Sequence, residues 1–355
     1  LRAVAALGVL ASHVPTTSPL SGVPDFVVKN MATGVALFFV ISGFLLYRPF
    51  AASLTDRSRV SIRRFAMNRA LRILPLYLLV VGVVFVATVS NLTQPVFQLV
   101  RAVTFTGVYS GNDLVPVAWS LDDEAAFYVL LPLLYLAVLA WPRIEQRWWL
   151  SIAAIAALGT ASVVMLAATP ADHAIVGTPI TKFHLFGLGM VLATLHARWP
   201  SFQVTPRLLA AGGVAAVGLL TASSFAYIDH QYVFNPLCGL AFFAVVGMVA
   251  FSPPAARLTR ILSWRPLVHL GDVSYGIYLW HEPLHHVLFN SGVLSSVFVV
   301  GLLELACGTV ALATGTYFLV EKPALRLKGR WIIANTKAID RTPAASRSRT
   351  GSIYT

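Results

Sequence analysis

Apolar residues along this chain fall in long runs, without the alternation of a half-buried strand or the narrow stripe of an amphipathic surface helix. The runs lie near residues 1–14, 31–47, 75–90, 126–141, 148–168, 183–197, 208–225, 236–252, 272–289 and 295–320. A helix needs about 20 apolar residues to cross a bilayer, and in hydrocarbon it alone among open segments pairs all its backbone groups internally. The pattern therefore predicts an all-α, polytopic membrane protein with about ten transmembrane helices. Residues 96–118 are interrupted by Arg101, Gly107, Gly111, Asn112, Asp113 and Pro116, which predicts a re-entrant or outer-face segment rather than a crossing.

Composition agrees with this reading. Hydrophobic residues make up 57% of the 355, charged residues 11%, and the mean hydropathy is +0.75, which excludes a soluble domain with a solvated surface. The net charge of +12 changes the picture through its placement. With the N-terminus in the cytoplasm, 22 of the 26 Lys and Arg fall on the cytoplasmic side, against Lys29, Arg101 and Lys182 outside. That asymmetry is a topology signal and calls for no nucleic-acid partner; both termini are expected in the cytoplasm of an inner (plasma) membrane protein. A membrane domain is expected over 1–330, followed by a disordered, basic cytoplasmic tail over 331–355, rich in Ser, Thr, Ala and Arg. The chain opens at Leu1 without Met and already in an apolar run, so further residues are expected before it, and residues 1–14 lack the cleavage site of a signal peptide. Cys238 and Cys307 both lie in apolar runs and are expected to be small core residues, which leaves no disulfide framework and no Cys-ligated zinc.

Several ionisable groups lie inside or at the edge of these runs, where they are costly unless they face protein or water. Arg2 and His13 are eleven residues apart, close to three turns, so they share one helix face about 16 Å apart. His13 is a functional-site candidate or an interfacial imidazole bonded to a neighbour. Arg69 and Arg72, at i and i+3, can grip phosphates bidentately or anchor anionic lipid headgroups. Asp122, Asp123 and Glu124 precede an apolar run; Glu124 can orient an imidazole, or the three acids can complement a helix N-terminus. His281-Glu282-Pro283-Leu284-His285 matches a zinc-protease signature, but the proline is expected to kink the helix and spoil the placement of the two His ligands, so no metal is expected. Glu304 is open between a protonated carboxyl, an ion pair and a place on a polar pathway.

Taken in order, these segments resemble the integral-membrane acyltransferase family 3. The resemblance rests on Leu1-Arg2-Ala3-Val4-Ala5-Ala6 with His13, Phe38–Leu45, Arg69-Ala-Leu-Arg72-Ile-Leu-Pro75, Trp119–Glu124 with Phe127, Tyr128 and Pro132, Ser274–His281 with Pro283, and Val320-Glu321-Lys322-Pro323. It covers residues 1 to about 330. It implies a bacterial ten-span enzyme that moves an acyl group, usually acetyl, from acyl-CoA to a hydroxyl of a carbohydrate, envelope glycan, lipid or macrolide. By position, His13 is implied as the catalytic histidine, Arg2 as its basic companion in donor binding, Arg69 and Arg72 as a CoA-phosphate grip, and Glu124 as the supporting carboxylate. Asp123 stands where the family usually has an apolar residue. No SGNH-type hydrolase domain follows in this sequence, so the acceptor is expected to meet the membrane site itself or a separate partner. A transporter or flippase using the same intramembrane polar groups is the competing reading; an enzyme consumes a thioester and a carrier does not. Oligomeric state is left open by the sequence.

Overall fold

The structure is a computed structural model in which residues 1–14, 30–56, 60–107, 114–139, 148–169, 177–225 and 231–327 are described. The apolar runs become helices: α1 (Arg2–Ser12), α2 (Gly34–Asp56), α3 (Ile62–Thr88), α4 (Pro95–Val103), α5 (Trp119–Leu139), α6 (Trp148–Ala168) and α7 (Pro179–Arg198). They continue with α8 (Pro206–Ser224), α9 (Gln231–Ala250), α10 (Arg257–Leu262), α11 (Arg265–Asp272), α12 (Ser274–Asn290) and α13 (Phe298–Thr316), the last running on through a π-helical turn, Tyr317–Glu321. Local chemistry sets several starts. Ser61 and Thr205 accept hydrogen bonds from the backbone N–H of Arg64 and Leu208, and α4, α7 and α8 begin at proline, whose missing N–H is harmless there.

Among the described residues, seven helices are long and apolar enough to cross a membrane. The remaining three expected positions are also helical. α1 is short, α5 carries three carboxylates in its first two turns, and α12, with 17 residues, spans about 25 Å. The all-α polytopic fold expected from the pattern is thus present. The outer surface is apolar, with Val86 (76% exposed), Val214 (75%) and Leu319 (79%) turned away from the protein, as a hydrocarbon solvent requires. α4, at about 13 Å, is too short to cross; the Tyr77 hydroxyl donates to the Ala102 carbonyl (2.9 Å) and ties it to α3. Gly111, Asn112 and Asp113 of that segment, the tail over 331–355 and the loop arginines 57, 59, 143 and 147 lie outside the described residues.

Packing follows from aromatic rings and from glycines. One core joins α2, α5, α7 and α9 around Phe39, Phe127 and Phe186, the last two stacked at 3.6 Å. A second joins α3, α12 and the Pro116–Ala118 turn through Tyr77, Tyr275 and Tyr278; a third seats α1 against α12 and α13. α2 and α7 cross in close contact: a Cβ on Gly43 would overlap the Phe186 carbonyl oxygen, and one on Gly189 the Val40 carbonyl oxygen. Small residues at a crossing let two backbones touch, which is the main source of helix affinity where lipid removes the hydrophobic drive.

The cysteines divide. Cys238 is buried and donates to Ser223 Oγ (3.4 Å), whereas Cys307 is exposed on α13, so the expected core role holds for the first and not for the second. A thiol on the outer face of α13 meets hydrocarbon, which accepts it as readily as a core does.

Candidate active site

His13 ends α1. Its Nδ1 lies 2.9 Å from the Val9 carbonyl oxygen, four residues back. A carbonyl only accepts, so Nδ1 donates this bond, which in the neutral ring leaves the lone pair on Nε2. The ring is exposed to a cavity of about 300 Å³ whose wall also includes Trp119, Lys182, Gln231, Asn235 and Tyr278. On its other side it meets His281 edge-on, with ring centroids 4.9 Å apart. His281 is fully buried; its Nδ1 points at the Tyr278 carbonyl (2.6 Å), and its Nε2 has no partner among the described residues.

Arg2 sits at the opposite end of α1, with its guanidinium 5.9 Å from the centre of the Phe38 ring and its Nε donating to Ser274 Oγ (3.3 Å). It lines a second, smaller cavity of about 40 Å³ with Glu124, Ser120 and Tyr275. Phe39 and Tyr278 belong to the walls of both cavities, so these two rings stand between them. Tyr278 is held there: its hydroxyl donates to the Val117 carbonyl (2.8 Å) and lies 2.7 Å from Ser120 Oγ.

Glu124 is placed away from His13. Its carboxylate accepts from Ser42 Oγ (2.9 Å), lies close to Tyr128 and faces the charge of Arg2. The orienting bond expected from Glu124 to the imidazole is supplied instead by the Val9 carbonyl. The reason is register: α5 runs toward the Arg2 end, so Trp119 reaches the His13 cavity while Glu124, more than one turn further along, does not.

Arg69 and Arg72 both lie within electrostatic reach of Arg2. They differ in what they hold. Arg72 makes an ion pair with the buried Glu321 (3.3 Å) and donates to the Asp272 carbonyl (3.2 Å), so much of its fork is committed to the protein. Arg69 stacks on Phe65 at 5.7 Å, and its Nε has no partner among the described residues. The structure thus gathers three expected cations at one end of α1.

Other polar groups serve the scaffold. Glu282 accepts the Val117 N–H (2.9 Å) and stands 3.9 Å from His286, while His281 turns toward His13. α12 runs as one helix through Pro283, with His281 fully buried as expected; in a membrane, neighbouring groups accommodate the lost N–H. Among the described residues no three His, Cys, Asp or Glu side chains are arranged to hold a metal. Glu304 accepts the Ser295 N–H (2.8 Å) just before α13.

The sequence reading passed over the partner of Asp123. Asp123 is fully buried and forms an ion pair with Lys182 at 2.7 Å; Lys182 also donates to the Gly177 carbonyl (3.1 Å) and stands 4.2 Å from the centre of the Trp119 ring. The signal was available, since a carboxylate in an apolar position requires a cation, and Lys182 begins a span at the same end of the molecule.

The acyltransferase domain family matches residues 1–321. Among curated proteins the chain is 31% identical to Nodulation protein 10 of Rhizobium leguminosarum bv. viciae, over 92% of each. It is 26% identical to Peptidoglycan O-acetyltransferase OatA of Listeria monocytogenes, covering 80% of this chain and 48% of that protein. The O-acetyltransferase OatA of Staphylococcus aureus is also 26% identical, covering 93% of this chain and 57% of that protein. The chain therefore spans about half the length of these two OatA relatives. No solved structure matches it. With its ordered motifs, its polytopic fold and a family match over nearly all the described helices, the chain belongs to the integral-membrane acyltransferase family 3.

Proposed function

We propose that this protein is a membrane O-acyltransferase that carries an acyl group, acetyl in the first instance, from acyl-CoA to a hydroxyl of a carbohydrate, envelope glycan, lipid or macrolide-type acceptor. The observation that carries the reading is the arrangement along α1. Arg2 stands beside Arg69 and Arg72 at one end, His13 lines a cavity at the other, and the two cavities between them share Phe39 and Tyr278 as walls. The relatives named O-acetyltransferase support the reaction class.

In this reading the cationic end faces the cytoplasm of an inner membrane, and the CoA phosphates rest on Arg69 and Arg2, with Arg72 contributing through the part of its fork that Glu321 leaves exposed. Glu124 offsets the charge of Arg2 and so holds that side chain in place. The pantetheine arm passes between Phe39 and Tyr278 and brings the thioester to His13. His13 Nε2 takes the proton of the acceptor hydroxyl as its oxygen attacks the thioester carbonyl. The carbon–sulfur bond breaks, the imidazolium returns the proton to the departing thiolate, and ester and free CoA result.

The test is transfer of labelled acetyl by the purified protein in lipid nanodiscs. General bases contribute typically 10²–10⁴-fold, so His13→Ala should lower turnover by about that factor while the protein still melts cooperatively. Unchanged turnover in a folded His13→Ala protein removes the imidazole from the chemistry.

A further inference from the structure

The 300 Å³ cavity in front of His13 is near the lower end of small-molecule sites, and its chemistry differs from that of the Arg2 end. Its lysine among the described residues, Lys182, is neutralised by Asp123 at 2.7 Å and braced on the Gly177 carbonyl, so among those residues the wall offers no free lysine or arginine to a phosphate or carboxylate. What it offers instead is neutral. The side-chain amides of Gln231 and Asn235 stand one turn apart on α9, and neither has a hydrogen-bond partner among the described residues. Each presents a carbonyl acceptor and an NH₂ donor, a pair suited to adjacent hydroxyls. The Trp119 ring supplies an apolar surface in the same wall, with Lys182 stacked against it.

We infer that this cavity is an acceptor subsite for one uncharged sugar ring, and that Gln231 and Asn235 are the residues that select it. The inference rests on the O-acyltransferase reading and narrows it. The two amides hold two hydroxyls of the ring, Trp119 covers an apolar face, and a third hydroxyl is left toward His13 Nε2. The inner end of the site binds by charge and the outer end by neutral hydrogen bonds, which keeps the anionic donor and the acceptor from exchanging places.

The experiment measures free thiol released from acetyl-CoA by the full chain in nanodiscs, with methyl β-glucoside, methyl β-glucuronide or 1-butanol as acceptor. The expected result is that the glucoside drives thiol release, that the anionic glucuronide has no lower KM, and that butanol at equal concentration gives little. Gln231→Ala and Asn235→Ala should each raise the glucoside KM roughly three- to tenfold, the loss of one neutral hydrogen bond. The shift in melting temperature caused by acetyl-CoA shows whether each variant is folded. Butanol equal to the glucoside, a lower KM for the glucuronide, or an unaltered glucoside KM in both folded variants overturns the subsite. Acetyl-CoA that neither shifts the melt nor loses its acyl group with any acceptor overturns the O-acyltransferase reading itself.

Discussion

At the scale of single residues, Asp123 and Lys182 show what burial demands of a charge. They lie near the starts of α5 and α7, and their pairing at 2.7 Å braces the two helices beside the His13 cavity. Removing one member leaves the other uncompensated, so Asp123→Asn should cost about 3–5 kcal/mol. The joint change Asp123→Leu with Lys182→Met should cost less than that single change, because hydrophobic replacements leave no buried charge behind. Thermal unfolding of the single and double variants in one detergent checks the order; a double variant weaker than Asp123→Asn would contradict it. Arg2 and His13 were legible as a pair because one helix carries both, and helix geometry alone puts them on one face. His281 was legible only as an interior residue. That it packs against His13 depends on how α1 and α12 meet, which leaves no trace in local spacing.

At the scale of elements, the crossing of α2 and α7 governs the neighbourhood of the site. Gly43 follows Ser42, the donor to Glu124, so a shift of α2 away from α7 moves that contact too. Gly43→Ala and Gly189→Ala should each destabilise by about 1–3 kcal/mol, the usual range for overpacking a close contact. Gly82→Ala and Gly213→Ala are the controls: an added Cβ there meets nothing within 4 Å, and replacing a helical glycine should stabilise by roughly 0.5–1 kcal/mol. Melting temperatures of the four variants test this, and equal losses at all four positions would show that the crossing is not special. The existence of the helices was written in the apolar runs. Their contacts were not, since a glycine that touches a carbonyl and one that faces open space look alike in sequence.

At the scale of the whole molecule, two distant motifs are joined. Arg72 on α3 and Glu321 in the π-helical turn after α13 form an ion pair at 3.3 Å, and Arg72 also reaches the Asp272 carbonyl at the end of α11. This cluster closes the bundle at the end where Arg2 and Arg69 lie. In the proposed orientation that end faces the cytoplasm. In a variant with Cys238 and Cys307 replaced by serine, Ser263→Cys should therefore resist a membrane-impermeant maleimide in intact cells, and Gly292→Cys should react. Reaction at Ser263→Cys without lysis reverses the orientation and with it the side from which the donor arrives.

What the sequence determined by itself was the set of membrane helices and the shared face of Arg2 and His13. Both are local properties: hydrocarbon obliges each span to satisfy its own backbone, and 3.6 residues per turn align side chains eleven apart. Only the tertiary structure decided which polar groups meet. Glu124 bonds Ser42 rather than His13, Lys182 answers Asp123, and Glu321 answers Arg72. Those pairings follow from the register and crossing of helices, which are set by ring stacking and by glycine contacts between residues far apart in the chain.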